Sequence, residues 1–329
     1  MAARLEPVPT VRTPNLVELR HLTSVHLSAL LAEETSAWQE MLNWDFNKSA
    51  DLVRRFVDLR ALSGCALMDG GEAVGYSYFV IEEHKGLVGD LYVRKEFRTA
   101  ENENRLLAAV LERLVTGSQV RRVESQLMMI LGDRSRSIPG AQYLATFERN
   151  YMLIDFESAP ALPLRPLIAS IHLEKWSDRH QETAAQLIAS AYTGHIDSRI
   201  NDQYRSLGGA RRFLYNIVQY PGCGSFFQPA SFVAIDLERG SLAGLVLASL
   251  VGEHTGHITQ VCVSTEDRGI GLGYELMRQS LEIMRAHGCR KASLTVTASN
   301  REAVSLYERM GFRTVRKFLA YVWEGFGRQ

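Results

Sequence analysis

The sequence predicts a mixed α/β fold built twice in tandem, each copy a mostly antiparallel sheet flanked by helices. Three observations predict it. The chain has 329 residues, too long for one ordinary core and suited to two. One order of elements, helices, then three strands, then strand and helix in alternation, runs through the second half and again through the first. A Pro-rich stretch, Pro160-Ala-Leu-Pro-Leu-Arg-Pro166, separates the halves and reads as a linker. The expected division is 1–160, a linker at 161–168, and 169–329.

In the first half, 16–22 reads as a strand and 26–42 and 50–62 as helices. Segments 65–69, 73–83 and 87–93 form a three-strand run with turns at Gly70-Gly71 and Gly86. An amphipathic helix covers 104–115, a strand 120–129, and loop and helix 134–149. In the second half, 170–173 suits a strand and 181–192 a helix. The stretch 196–220 mixes helix signals and ends at the turn pair Pro221-Gly222. Strands follow at 231–236, 242–251 and 256–264, the first two joined by a hairpin-type turn at Glu238-Arg239-Gly240. Leu276, Met277, Leu281 and Met284 recur at three- and four-residue steps. They predict a helix over 273–287, stopped by Gly288. A strand at 292–297, a short helix at 301–310 closed by Gly311, and a strand at 314–323 complete the half.

The two halves can be laid over each other. Glu96 then meets Glu266, Arg98 meets Arg268 and Leu106 meets Leu276. FERNYM at 147–152 lies over YERMGF at 307–312, which requires an insertion in the first copy near 132–140.

Composition narrows the function classes. With 37 basic and 37 acidic residues the net charge is +0, so no global basic field exists to hold nucleic acid. The local arginines Arg54, Arg55, Arg60, Arg121 and Arg122 read as solvated faces. Cys65, Cys223, Cys262 and Cys289 are far apart and suggest neither a zinc site nor a disulfide framework. Free thiols fit a reducing cytosol. No run approaches the roughly 18 apolar residues of a membrane span, and residues 1–14 lack a secretory signal. The expected location is the cytoplasm, with no membrane partner.

Two motifs carry chemistry. Arg268-Gly-Ile-Gly-Leu-Gly273 follows a strand and opens a helix. Glycines let backbone N–H groups turn inward, and the helix N-terminus adds unsatisfied donors and a positive dipole end. Together they make a pyrophosphate cradle; the plain alternative is a Gly-rich turn. The glycine spacing does not suit a dinucleotide-binding Rossmann turn, and no acid follows about 20 residues on in a parallel βαβ unit. The second motif is Asn300, Ala303, Leu306, Tyr307, Gly311 and Phe312. Asn300 is a natural N-cap. Tyr307 lies beside the core face of its helix and could point a phenol along a cleft or simply pack there.

This pair of motifs resembles the GNAT superfamily of N-acetyltransferases. Its R/Q-x-x-G-x-G/A loop is matched by Arg268, Gly271 and Gly273, and its N-x-x-A-x-x-L-Y-x-x-x-G-F helix by Asn300, Ala303, Leu306, Tyr307, Gly311 and Phe312. The resemblance covers residues 169–329 well and the first copy weakly. It implies acetyl-CoA as co-substrate and no metal. Gly269, Ile270, Gly271, Leu272, Gly273 and Tyr274 would bind the pyrophosphate through backbone amides. Val261 and Val263, flanking Cys262, would pair with the pantetheine arm like an extra strand, and Asn300 and Ala303 would help hold that arm. Tyr307 would protonate the departing thiolate; a thiol near pKa 8.5 leaves and a phenol near 10 can protonate it.

Many members place a carboxylate base at the start of the strand before the loop. His257 holds about that position here, with Glu253 and His254 just upstream, so His257 or Glu253 is the expected base. Acceptor contacts are expected from Tyr192, His195, Asp197 and Arg199 and from 203–220, with Trp38, Trp44 and Asp45 either reaching the cleft or serving a core. In the first copy Glu101 and Glu103 stand in the places of Gly271 and Gly273, and Phe147 in the place of Tyr307. Carboxylates there repel phosphate, so this copy is expected to have lost CoA chemistry and to shape the acceptor cleft. The tandem arrangement is loosely similar to that of the mycothiol synthases.

The expected function is transfer of an acyl group, acetyl above all, from CoA to a primary amine by direct attack. The amine belongs to a small molecule or to a peptide or protein, and the enzyme is a monomer or homodimer. The alternative is a non-catalytic acetyl-CoA-binding sensor or scaffold.

Overall fold

A computed structural model describes residues 13–116, 119–130, 136–220, 222 and 224–326; Cys223 and Arg134 lie outside them. The first half runs β1 (Asn15–Glu18), α1 (Ser28–Leu42), α2 (Asn47–Asp58), β2 (Ser63–Asp69), β3 (Glu72–Glu82), β4 (Lys85–Val93), α3 (Ala100–Thr116), β5 (Arg122–Gln126) and β6 (Leu144–Asp155). The second runs β7 (Ile171–Lys175), α4 (Gln181–Ala191), α5 (Asp197–Ile200), α6 (Leu207–Gln219), β8 (Ser225–Phe226), β9 (Phe232–Asp236), β10 (Ser241–Gly252), β11 (Thr255–Val263), α7 (Leu272–Ala286), β12 (Lys291–Thr297), α8 (Arg301–Arg309) and β13 (Arg313–Glu324). No helix among the described residues is long and apolar enough to cross a membrane.

The repeat extends into local details. Each half approaches its first long helix with the same cap. The Thr23 amide donates to His26 Nδ1 at 3.0 Å, and the Ser177 amide donates to His180 Nδ1 at 3.1 Å. Each half also has a glycine where its long helix presses on the sheet. A Cβ on Gly86 would lie 2.7 Å from Leu114 Cδ2, and one on Gly256 2.4 Å from Met284 Sδ. Helix α7 turns Leu272, Leu276, Met277, Leu281 and Met284 into that contact, all at most 1% exposed. This is the periodicity that predicted the helix.

One sheet, not two, runs through the molecule. Its order is β1-β2-β3-β4-β5-β13-β6-β12-β11-β10-β9-β7, with β8 beside β10. Among the strands of the described residues, only β4 with β5 and β11 with β12 pair in parallel. The centre of the sheet is an exchange. Strand β13 of the second half lies between β5 and β6 of the first, and β6 lies between β12 and β13 of the second. Strand β6 delivers Met152 and Ile154 to the core under α7 and α8, and β13 delivers Tyr321 and Trp323 to the core under α3. Each half thus completes the other.

This overturns two sequence expectations. Residues 144–155 are a strand, not the loop and helix expected over 134–149. Phe147, Glu148 and Arg149 resemble Tyr307, Glu308 and Arg309 at the end of α8, but pairing on both edges overrides that local likeness. The expected insertion near 132–140 also disappears. The spacing from the start of β5 to the start of β6 equals that from β12 to β13. Phe147 therefore corresponds to a residue of β13 and not to Tyr307. Where the second half has α8, the first has only a short turn of helix at Ala141–Tyr143 among the described residues.

Residues 156–170 contain no helix or strand. They are held down by Ala159, Leu162 and Leu167, which pack on the core under α7 and α8.

Candidate active site

The site begins as a fault in the sheet. Strand β11 pairs with β10 almost throughout, but with β12 only where Thr255–Ile258 faces Lys291–Leu294. At that point the register with β10 steps from Ala248↔Ile258 to Leu247↔Gln260, leaving Thr259 as an extra residue. Such a bulge bends its strand. Beyond it β11 and β12 part, and the backbone from Gln260 to Val263 offers an edge to the gap, as an extended ligand requires. Strands β4 and β5 repeat the parting, with the extra residue at Gly89.

The gap ends at the glycine loop. Gly269 and Gly271 have φ of 83° and 87°, and a Cβ on either would meet nothing within 4 Å. They are glycines for backbone conformation, not for lack of room. Gly271 is the N-cap of α7, with no side-chain cap. The first-turn amides of Leu272, Gly273 and Tyr274 are therefore available to an anion. A Cβ on Gly273 would find only ordinary contacts, the nearest 3.7 Å from Val263. Arg268 is tied to the end of α4, donating from Nη2 to the Ala191 carbonyl at 2.9 Å. Ile270 is exposed.

Helix α8 forms the other wall. Asn300 Oδ1 accepts the Ala303 amide at 3.3 Å and so fixes the helix start. Tyr307 is 7% exposed and meets Phe312 edge-on at 6.1 Å. Burial, with help from the Asp197 carboxylate, raises its pKa above that of an ordinary phenol. It therefore stays protonated, as a proton donor must.

The acceptor candidates form two connected clusters. Tyr192 stacks on Tyr204 with centroids 4.3 Å apart. Gln260 joins them, donating to Tyr192 Oη at 2.7 Å and accepting from Tyr204 Oη at 3.1 Å. Asp197 accepts from Arg149 Nη1 at 3.2 Å and from Thr297 Oγ1, and its amide donates to His195 Nδ1 at 3.2 Å. His195 Nε2 lies 3.3 Å from Asn300 Nδ2, which links this cluster to α8. Tyr204 falls in the expected stretch 203–220, whereas sequence reasoning missed Arg149, Gln260 and Thr297. Arg149 had no local signal, because only the exchange of β6 brings it here.

The expected bases separate. Glu253 sits at the β10–β11 turn with its side chain 90% exposed and does not line the gap. His257 does line it, buried beside Trp44 with centroids 5.1 Å apart. Its Nδ1 is 2.8 Å from Ser293 Oγ, and burial lowers its pKa to about 4. Cys262 is buried too, and burial raises its thiol to about 12, so β11 offers backbone here and no thiolate.

The glycines of the loop, Val261, Cys262, Val263, His257, Tyr307 and the acceptor residues Tyr192, His195 and Asp197 line one cavity of about 800 Å³. It runs from the glycine loop past Val261, Val263 and Tyr307 to Trp38, Trp44, Gly89, Gln126 and Met128 of the first half. The tryptophans therefore serve both a core and the cavity. At the matching place in the first half, Glu103 in the first turn of α3 is buried in an ion pair with Arg136. A carboxylate stands there at the helix N-terminus, whereas Glu101 is exposed.

Comparison with known proteins agrees with this geometry. Residues 196–312 match the acetyltransferase (GNAT) family. A mycothiol acetyltransferase of Thermobispora bispora is 28% identical over 90% of this chain and 95% of its own length. A mycothiol acetyltransferase of Corynebacterium glutamicum is 40% identical over 74 residues, 22% of this chain; the chain spans only 25% of that enzyme's length. Among solved structures, a tandem GNAT protein from the clavulanic acid biosynthesis pathway aligns with a TM-score of 0.63 at 17% identity, covering 96% of this chain and 99% of its own. Residues 196–312 thus form a domain of the GNAT acetyltransferase family, and the whole chain has the fold of a tandem GNAT protein.

Proposed function

We propose that the chain is an N-acetyltransferase that moves acetyl from acetyl-CoA to a primary amine by direct attack. One observation carries this reading: the parted strands β11 and β12 lead from an uncapped glycine-loop helix start to a buried, protonated Tyr307. Acetyl-CoA supplies an activated thioester. The loop amides of residues 269–274 hold its pyrophosphate, and the free edge of Val261 to Val263 pairs with the extended arm. Asn300 and Ala303 set the wall against which that arm lies.

The amine must reach the carbonyl unprotonated. Asp197 is already held by Arg149 and Thr297, and His257 is too weak a base at neutral pH to store the proton. The amine therefore sheds its proton to solvent and enters as the free base. Its nitrogen forms a bond to the carbonyl carbon, the carbon–sulfur bond breaks, the sulfur takes the Tyr307 proton, and the proton that the nitrogen sheds to solvent is replaced from solvent on the phenol, so that an amide and a free thiol leave. Tyr192, His195 and Asp197 orient the acceptor, a small-molecule or peptide amine, which enters from the side lined by the first half. The first half, residues 1–160, carries no CoA chemistry and is joined through 161–168 to the catalytic half, 169–329. The unit works as a monomer or homodimer in the cytoplasm.

Calorimetric titration of acetyl-CoA tests this. The unaltered chain should bind at one site, and Gly271→Glu should abolish binding, since that position needs positive φ and faces phosphate. Two sites would mean that the first half still binds. Absence of binding would remove the acyltransferase reading.

A further inference from the structure

The segment that joins the two halves does more than connect them. Residues 156–170 cross the start of α7, the helix whose first turn faces the cavity. Tyr274 Oη donates to the Pro163 carbonyl at 2.9 Å. The Arg165 amide donates to Glu275 Oε2 at 3.4 Å. The Arg165 guanidinium lies over the Tyr274 ring, 4.2 Å from its centroid, and lines the cavity with Gly269, Gly271 and Gly273.

That guanidinium has no carboxylate within ion-pair distance among the described residues. Glu275, the nearest candidate, already takes two bonds from Arg278 Nε at 2.9 Å each. A flat cation positioned on an aromatic face and left without a counter-ion at the rim of an anion site is ready for an anion. The pyrophosphate needs no further cation, because the amides that open α7 serve it. Coenzyme A carries one more phosphate, the monoester on its ribose, with close to two charges at neutral pH.

We propose that Arg165 binds the ribose 3′-phosphate of coenzyme A, so that the connecting segment selects the phosphorylated cofactor over its dephospho form. This rests on the acyl-CoA reading above. The cofactor is then gripped from two sides, by the glycine loop of the second half and by the strap that arrives from the first. Arg268 cannot take this role in its present position, since its guanidinium is turned to Ala191.

The test is titration of the full chain, unaltered and as Arg165→Ala and Arg165→Lys, with coenzyme A and with 3′-dephospho-coenzyme A. Arg165 is exposed in an irregular segment, so neither variant threatens folding. The unaltered chain should prefer coenzyme A by about tenfold or more, the scale of one charge-assisted contact. Arg165→Ala should lower coenzyme A affinity by about that factor and leave the dephospho form within about twofold. Arg165→Lys should fall between, as a point charge without the planar fork. Equal losses for both ligands would put the guanidinium on the pyrophosphate and overturn the assignment. So would unchanged affinity in both variants. If the unaltered chain bound neither ligand, the acyl-CoA reading would fall first and this proposal with it.

Discussion

Tyr307 and His257 show how burial decides what a side chain can do. The same loss of water that keeps the phenol protonated makes the imidazole a poor base. Tyr307→Phe should lower kcat by about a hundredfold, within the range for a lost general acid. Acetyl-CoA affinity should stay within about twofold, since the phenol is asked to act only on the leaving sulfur. Equal loss of binding and turnover would make Tyr307 a packing residue. For His257, burial holds the pKa near 4, against about 6.5 in an unfolded chain. Between those values the unfolded chain binds the extra proton. Stability is therefore present above about pH 6.5 and is lost as pH falls toward 4, by roughly 3 kcal/mol at most. Glu34 and Asp90 act in the opposite sense. They are buried and held above the ordinary carboxylate range, chiefly by burial, so they lose stability as pH rises. A comparison separates the two effects. Across pH 6.5 to 4, His257→Gln should lose less stability to urea than the parent, and parallel curves would refute the assignment.

Among the elements, what could be read locally was read. Helix α7 announced itself through Leu276, Met277, Leu281 and Met284, and its start through glycines whose positive φ no other residue adopts cheaply. Asn300 capped α8 as its position suggested. Strand β6 was missed because its neighbours, β12 and β13, come more than a hundred residues later in the chain. Long-range pairing leaves no local mark, and a sequence resemblance to α8 filled the gap wrongly. Arg149 was lost with it. Glu103 stands in the first turn of α3. What sequence did not supply was its partner, Arg136, whose side chain is 2% exposed against 1% for Glu103. Removing one member of so buried a pair leaves the other charge uncompensated. Glu103→Ala should cost on the order of 3 kcal/mol of unfolding free energy in urea. A loss below about 0.5 kcal/mol would mean that water reaches Arg136 freely.

For the whole molecule, the exchange of β6 and β13 makes the two halves one cooperative unit. Four strands, β5, β13, β6 and β12, alternate in origin across the middle of the sheet, and neither half keeps a complete core when the other unfolds. Hydrogen exchange should find the amides of β6 and β13 among the slowest, opening only with global unfolding and with the same free energy in both strands. Two distinct opening energies, one for each half, would show that the halves unfold separately. The cavity depends on the same arrangement. Arg149 reaches Asp197 only because β6 crosses over, and Trp38, Trp44 and Gln126 face the site only because the sheet is continuous.

The exchange also sets an order of events during synthesis. A ribosome makes β5 and β6 long before it makes β13, the strand that must lie between them. At roughly 5–20 residues per second, the first half waits some ten seconds or more with one edge of β5 and both edges of β6 unpaired and a core that lacks Tyr321 and Trp323. During that time it has no finished sheet to fold into, and its exposed edges can capture strands from neighbouring nascent chains. Slow decoding between residues 156 and 312 would lengthen that exposure, and shared polysomes would turn it into domain-swapped oligomers.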